Sequence, residues 1–221
     1  MNLLAFDLLP RSVELYLKYN ENEIYKCVKT EEKPSELLLE VIDSFLKENR
    51  IPLGQLDFIT CNKGPGSFTA LRIAMSTGKG LAEGAGIPMV SVCGLDCCNT
   101  FSENTTDILL PVIDGRKKRF YAAFYAHGHR LGNYMDLSAE EIVKAAPAGR
   151  TIAVCGEDAE TFREALGGTL PLSWKTADPF PVPPIVEWSR IAAKKYADGL
   201  TDSPAEGPFY IRKSQAEEGN G

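Results

Sequence analysis

Histidine is nearly missing from this chain, which has two in 221 residues, at positions 127 and 129. A helical metalloenzyme pair needs i, i+4 spacing to set both rings on one face, and no H-E-x-x-H motif occurs. His127-Gly128-His129 reads as a polar hairpin turn. The same scarcity leaves little to build a Ser/His/Asp triad from. Ser67 follows a glycine at a sharp turn and is the tempting nucleophile, yet Thr69 stands where the nucleophile-elbow pattern G-x-S-x-G puts its second glycine. C-x-x-C pairs are absent as well. The six cysteines, at 27, 61, 93, 97, 98 and 155, offer no second ligand pair at zinc spacing. Cys27, Cys61, Cys93 and Cys155 lie in or beside apolar runs and are expected as buried thiols. No apolar run approaches the roughly 18–20 residues of a membrane span. The opening Met1 to Asp7 carries no basic leader and reads as a first strand, so a cytoplasmic protein is expected. Positive charge is short too: 24 Lys and Arg face 30 Asp and Glu, for a net charge of −6. Without a long basic stripe the chain is not expected to grip nucleic acid strongly by itself. Its one basic cluster is Arg116-Lys117-Lys118-Arg119.

What is present is an ordinary globular composition, 44% hydrophobic and 24% charged, in a length that suits one large or two small domains. Leu3 to Asp7, Ser12 to Lys18 and Glu23 to Val28 read as three short strands, the second alternating Val13, Leu15 and Leu17 with Glu14, Tyr16 and Lys18. A helix from Ser35 to Asn49, a strand from Leu56 to Cys61, a helix from Ser67 to Glu83 and a strand from Pro88 to Val92 follow. Three meandering strands and then helix, strand, helix, strand predict an α/β unit with a mixed sheet flanked by helices. The polar stretch Ser102 to Thr106 marks a boundary. The pattern then partly restarts, with strands at Ile108 to Asp114 and Arg119 to Ala126. A helix at Ser138 to Ala146, a strand at Thr151 to Cys155 and a helix at Asp158 to Leu166 come next. A duplicated fold is expected, with subdomains at 1–105 and 106–221. A Pro-rich segment, Pro179 to Pro184, leads into a last helix from Ile185 to Asp198, and the last segment of the second subdomain is expected to pack back on the first. The end, Glu217 to Gly221, is expected to be disordered.

Two helices carry more apolar surface than one contact needs. In the first, Leu37, Leu38, Leu39, Val41, Ile42, Phe45 and Leu46 span an arc of about 200° at 100° per residue, wider than the usual stripe. Either the helix is squeezed between sheet and neighbouring helix, or part of the arc meets a second protein. In the second, Arg72, Ser76, Lys79 and Glu83 fill a narrow polar strip. Ala70, Ala74 and Gly78 recur every fourth residue, a spacing that admits another helix closely. Phe68 and Met75 share another edge. Ordinary intramolecular packing and a helix–helix interface both fit.

Between them lies Gly64-Pro65-Gly66-Ser67, a glycine-rich turn joining a strand to a helix, where unpaired N–H groups suit a capping hydroxyl or an anion. A phosphate cradle there would want help from the first strand's turn, but Asp7 is followed by Leu8, Leu9 and Pro10, bulky and without a hydroxyl. Walker-type lysine is absent too. Gly64, Gly66, Ser67 and Thr69 therefore read as a vestigial loop, with no cofactor or metal assigned.

Gly64 to Leu81, GPGSFTALRIAMSTGKGL, resembles the signature of the TsaB (YeaZ) family, the bacterial dimerisation subunit of the tRNA threonylcarbamoyladenosine machinery. Leu3 to Asp7, Ser35-Glu36-Leu37-Leu38, Ile113 to Lys117 with Phe120-Tyr121, and Pro208-Phe209-Tyr210-Ile211-Arg212 support the resemblance. It implies an actin-like, sugar-kinase-like (ribonuclease H-like) fold of two related subdomains. It also implies a scaffold without catalytic residues that binds and activates a TsaD-like catalytic subunit, joined by a TsaE-like ATPase. That complex acts on tRNA next to the anticodon, and the subunit pairs with a second copy when alone. The partner-binding residues so implied are Leu38, Ile42, Phe68, Leu71, Arg72, Ala74, Met75 and Gly78. Arg116, Lys117, Lys118 and Arg119 are candidates for touching tRNA, against the plainer reading of a solvated hairpin tip. The chain departs from the family at Leu8 and Leu9, where threonine and serine are usual. It departs also at Pro34, where histidine is common, and at Ala70, which replaces a glycine. A glycoprotease-like peptidase using Ser67 or the histidines, and a nucleotide-sensing module using Gly64 to Thr69, are the alternatives.

Overall fold

The computed structural model describes residues 1–100, 106–177 and 182–212, with the side chains of 98–100 excepted. The polar stretch near 102–106 (apart from Thr106), residues 179–181 of the Pro-rich segment, the Cys98 side chain and the expected tail at 217–221 lie outside the described residues. Packing divides the chain into two units, residues 1–94 with 183–209, and residues 95–182 with 210–221.

In the first unit β1 (Leu3–Leu9), β2 (Ser12–Tyr19) and β3 (Asn22–Lys29) form an antiparallel meander. Helix α1 (Pro34–Glu48) opens with Pro34 in its first turn, where a missing N–H costs nothing. The chain then enters β4 (Phe58–Gly64), parallel to β1, and α2 (Phe68–Ala85), which stops at left-handed Gly86 (φ 68°). β5 (Val92–Cys93) pairs parallel with β4. The expected start of this strand at Pro88 is only a bridge, Met89 to Ile59, before the chain settles beside β4. Sheet order is β3-β2-β1-β4-β5. Period-two alternation sends Leu4, Phe6, Val13, Leu15, Leu17, Ile59 and Cys61 to one face, where Leu38, Ile42, Phe45, Ala74 and Met75 cover them.

In the second unit β6 (Ile108–Asp114), β7 (Phe120–Ala126) and β8 (His129–Leu137) make another antiparallel meander. Helix α3 (Ala139–Ala145) starts on a Ser138/Glu141 capping box. β9 (Ile152–Cys155), α4 (Ala159–Ala165) and β10 (Trp174–Thr176) follow, with β6, β9 and β10 parallel. The order β10-β9-β6-β7-β8 repeats that of the first sheet, which is the duplication of an actin-like fold. α5 (Pro184–Ala197) belongs to the first unit and lies on β1, β2, β4 and β5, where Tyr196 stacks on Phe58 at 4.8 Å. The expectation of buried thiols is met at Cys61, Cys93 and Cys155 and fails at Cys27, which is exposed because β3 is an edge strand; Cys97 is buried as well.

Candidate functional site

β4 runs straight into the glycine turn, and that turn is closed by the chain itself. Gly64 sits at φ 131°, and a Cβ on it would lie 2.3 Å from the Phe209 carbonyl oxygen. The Phe209 N–H donates to the Lys63 carbonyl at 2.6 Å. The rest of the segment is laced down in the same way. Lys63 pairs with Glu206 at 2.8 Å, and Lys79 donates to the carbonyls of Pro204 and Glu206. The Asp202 carboxylate accepts the Ser91 N–H at 3.0 Å, while its own N–H donates to Met89. The hydrogen bond from Lys63 is the main cause holding the Glu206 carboxyl below the usual glutamate range. The glycine thus serves the close approach of residues 202–209. Ser67 caps α2 by backbone conformation only, with no side-chain cap bond, and Ser67 and Thr69 are exposed.

Asp7 does not stand at a turn. β1 continues to Leu9, and the Asp7 carboxylate accepts the N–H of Leu8 at 2.8 Å. Cys61 is fully buried beside it, and burial first, then the Asp7 and Asp202 carboxylates, push its thiol well up, so it stays neutral. Among the described residues no group of three His, Cys, Asp or Glu is placed to hold a metal ion.

The two long helices are where expected, but six of the implied partner-binding residues are not on their outer faces. Leu38, Ile42, Leu71, Ala74 and Met75 are buried at 4% exposure or less, and Gly78 is buried with them. The row of small residues on α2 is fitted to its own unit. A Cβ on Gly78 would meet Met89 at 2.9 Å and Phe6 at 3.4 Å, so the expected approach of another helix is replaced by the approach of the sheet. The arc on α1 is likewise mostly consumed between sheet and α2, and Leu37 and Val41 are half-buried. Leu39 is the exception, at 58% exposure. It borders a groove of 680 Å³ lined also by Ile42, Leu46, Ile51, Leu53 and Leu81. Phe68 is half-buried, with the exposed Arg72 guanidinium 5.9 Å from its ring centre. The outer face is therefore Leu39, Phe68, Arg72 and Leu81. A helical wheel identifies apolar positions but not which neighbour covers them.

The basic cluster divides in two. Arg116, Lys117 and Lys118 are exposed at the β6–β7 tip. Arg119 turns back, donating to the Asp136 carboxylate at 3.1 Å and lying 3.7 Å from Glu141. Arg212 grips the same Asp136 with two hydrogen bonds of 2.6 Å and donates to the Gly115 carbonyl at 3.1 Å. Burial alone would raise the Asp136 pKa, but the hydrogen bonds from Arg212 and Arg119 outweigh it and hold the carboxyl below the usual range. Arg119 is thus corrected from a surface cation to a tie inside the hairpin. Phe209 and Arg212 sit in the stretch resembling the family's C-terminal signature; no sequence signal marks Asp202 or Asp136.

A family model described as TsaD, tRNA N6-adenosine threonylcarbamoyltransferase, matches residues 28–171. The chain belongs to this family, on its TsaB/YeaZ side. The TsaB biosynthesis protein of Haemophilus influenzae is 26% identical over 123 residues, 55% of this chain and 52% of that protein. TsaB of Buchnera aphidicola subsp. Acyrthosiphon pisum is 29% identical over 131 residues, 57% of this chain and 58% of its own length. The chain spans about half the length of the curated relatives it matches. YeaZ from Pseudomonas aeruginosa has the same fold, with a TM-score of 0.75 at 21% identity over 95% of this chain and 99% of that one. TsaB/YeaZ membership agrees with the duplicated sheets, and no helix among the described residues is long and apolar enough to cross a membrane.

Proposed function

We propose that this chain is a cytoplasmic scaffold subunit, without chemistry of its own, in tRNA threonylcarbamoyladenosine biosynthesis. Through the outer faces of α1 and α2 it binds and activates a TsaD-like catalytic subunit. A TsaE-like ATPase and tRNA join that complex, and alone the chain pairs with a second copy through the same face. The observation that carries the reading is Leu39, a leucine 58% exposed beside an apolar groove on a helix whose other apolar residues are buried or half-buried. An exposed apolar edge of this kind is stabilised by a partner rather than by water. The closed turn supports the scaffold half of the reading, because Phe209 fills the approach to Gly64 that a phosphate would need. No observation favours the peptidase alternative: the unit that holds Ser67 contains no histidine.

The test is Leu39→Asp, read by size-exclusion chromatography and calorimetry against a TsaD-like subunit. An exposed substitution should change stability by within about 0.5 kcal/mol. A charge at the centre of an apolar contact should weaken binding by tenfold or more, about 1.4 kcal/mol. Wild-type affinity in a well-folded Leu39→Asp chain would remove α1 from the interface, and no complex with the unaltered chain would remove the reading altogether.

A further inference from the structure

The geometry points to the β6–β7 tip as a preformed cationic prong for an RNA phosphodiester backbone, a deepening that rests on the tRNA reading proposed above. The tip is held from within. The Arg116 N–H donates to the Asp114 carboxylate at 2.8 Å, Arg119 N–H to the Arg116 carbonyl at 3.1 Å, and Gly115 N–H to the Arg119 carbonyl at 2.9 Å. Arg212 clamps the Gly115 carbonyl from outside the loop. This framework sets three consecutive non-glycine residues in the left-handed region, Arg116, Lys117 and Lys118, at φ 61°, 56° and 59°.

Lysine is the wrong residue for that backbone. Turns with two central positive φ values favour glycine, asparagine or aspartate, because other side chains crowd the following carbonyl. Two other hairpins place asparagine or glycine in this region: Asn20 at φ 55° after β2, and Gly128 at φ 76° beside His127 at φ 50° after β7. Arg50, at φ 56° after α1, is a single long cation in this region, but only at 116–118 among the described residues do three stand there in succession, and a broken local rule marks a functional position. Their charge is directed outward. Arg119 and Arg212 are taken up by Asp136, whereas Arg116, Lys117 and Lys118 are exposed, with Glu140 close enough to feel Lys118. A convex, rigid tip of three cations has no pocket for a single phosphate but suits a chain of them. In a protein of net charge −6, such a tip acts only at short range, within a Debye length of about 8–10 Å.

The test is the double variant Lys117→Asn/Lys118→Gly, which removes charge while improving the turn. In the assembled complex with a TsaD-like subunit, affinity for an unmodified tRNA transcript should fall about tenfold at 50 mM salt. The slope of log affinity on log salt should become shallower by about 1.5 to 2. The thermal midpoint should rise by about 2–4 °C, so weaker binding cannot be blamed on a damaged fold. Unchanged tRNA affinity and slope would overturn the prong, and so would loss of binding to anionic lipid vesicles with tRNA binding intact. If the two proteins do not assemble, the scaffold reading falls. tRNA binding by the chain alone, lost in the double variant, would still uphold the prong, and its persistence in that variant would overturn it.

Discussion

The two units share one strand order but not one helix length. Helices α1 and α2 have 15 and 18 residues, whereas their counterparts α3 and α4 have 7 each. At 1.5 Å per residue that is about 22 and 27 Å against about 10 Å. The central strands of the two sheets are alike, with 7 residues in β1 and in its counterpart β6, and 8 and 7 in β2 and β7, while β9 has 4 residues to the 7 of β4. The short helices already close a core around Ile142 and Phe162. What the long helices add is surface beyond the needs of their own sheet, and Leu39 stands on it. The corresponding first hairpins differ in the opposite direction. β1 turns into β2 through Pro10 and Arg11 alone, whereas β6 reaches β7 through Gly115 to Arg119, which carry four of the chain's cations. One unit has grown helices, and the other has grown a charged tip.

The largest effect that would sharpen this contrast comes from Met75→Glu. Met75 is 2% exposed and packed in the first core, so the change is a test of folding and not of partner binding. A carboxylate buried there without a partner should cost more than about 4 kcal/mol and abolish cooperative unfolding of the first unit. Circular dichroism with urea titration reads this directly. If the variant stays folded and loses only its partner, the inner face of α2 is an interface after all.

The Met75 correction shows how far sequence reaches. Alternation in β2 and the start of a helix at Ser138 are local, and both appear in the structure at the expected residues. Which side of α2 meets the sheet is not local: Gly78 is small because Met89 and Phe6 lie against it, and those contacts depend on tertiary packing. The segment that closes the glycine turn is harder still. Lys63 and Glu206 are 143 residues apart, and residues 202–209 carry no periodicity to announce a docked strap. β10 is three residues long, too short for any alternation to show.

The glycines that end β4 and β9 offer a second comparison. Gly64 at φ 131° would place a Cβ 2.3 Å from the Phe209 carbonyl, and Gly156 at φ 101° would place one 2.9 Å from the Val112 carbonyl. Both neighbours are backbone. Alanine at either position incurs the left-handed penalty of about 1–2 kcal/mol. Gly64→Ala must in addition move the strap, so its loss should be the greater, about 3 kcal/mol against about 2 kcal/mol. Limited proteolysis should then cut residues 202–209 in Gly64→Ala and spare them in Gly156→Ala. Equal protection in both would mean that Phe209 is not held by the turn.

The smallest expected effect concerns acid. Glu206 in the first unit and Asp136 in the second are both held below their usual carboxyl range, Glu206 chiefly by Lys63, Asp136 by Arg212 and Arg119 against the cost of burial. A carboxyl with a lowered folded-state pKa contributes its full stability above the unfolded value of about 4 and loses it as pH falls through the folded value. Both ties should therefore hold at neutral pH and loosen only in acid. Asp136 is the more enclosed, its side chain 14% exposed against 34% for Glu206, and it has two arginine partners to the other's one lysine. Solvent screens the Glu206 pair more. Asp136→Asn should therefore flatten the fall of stability below about pH 4 more than Glu206→Gln does. Thermal midpoints measured across that range would read the difference, and an acid limb unchanged by Asp136→Asn would show that the two arginines do not hold the hairpin through this carboxylate.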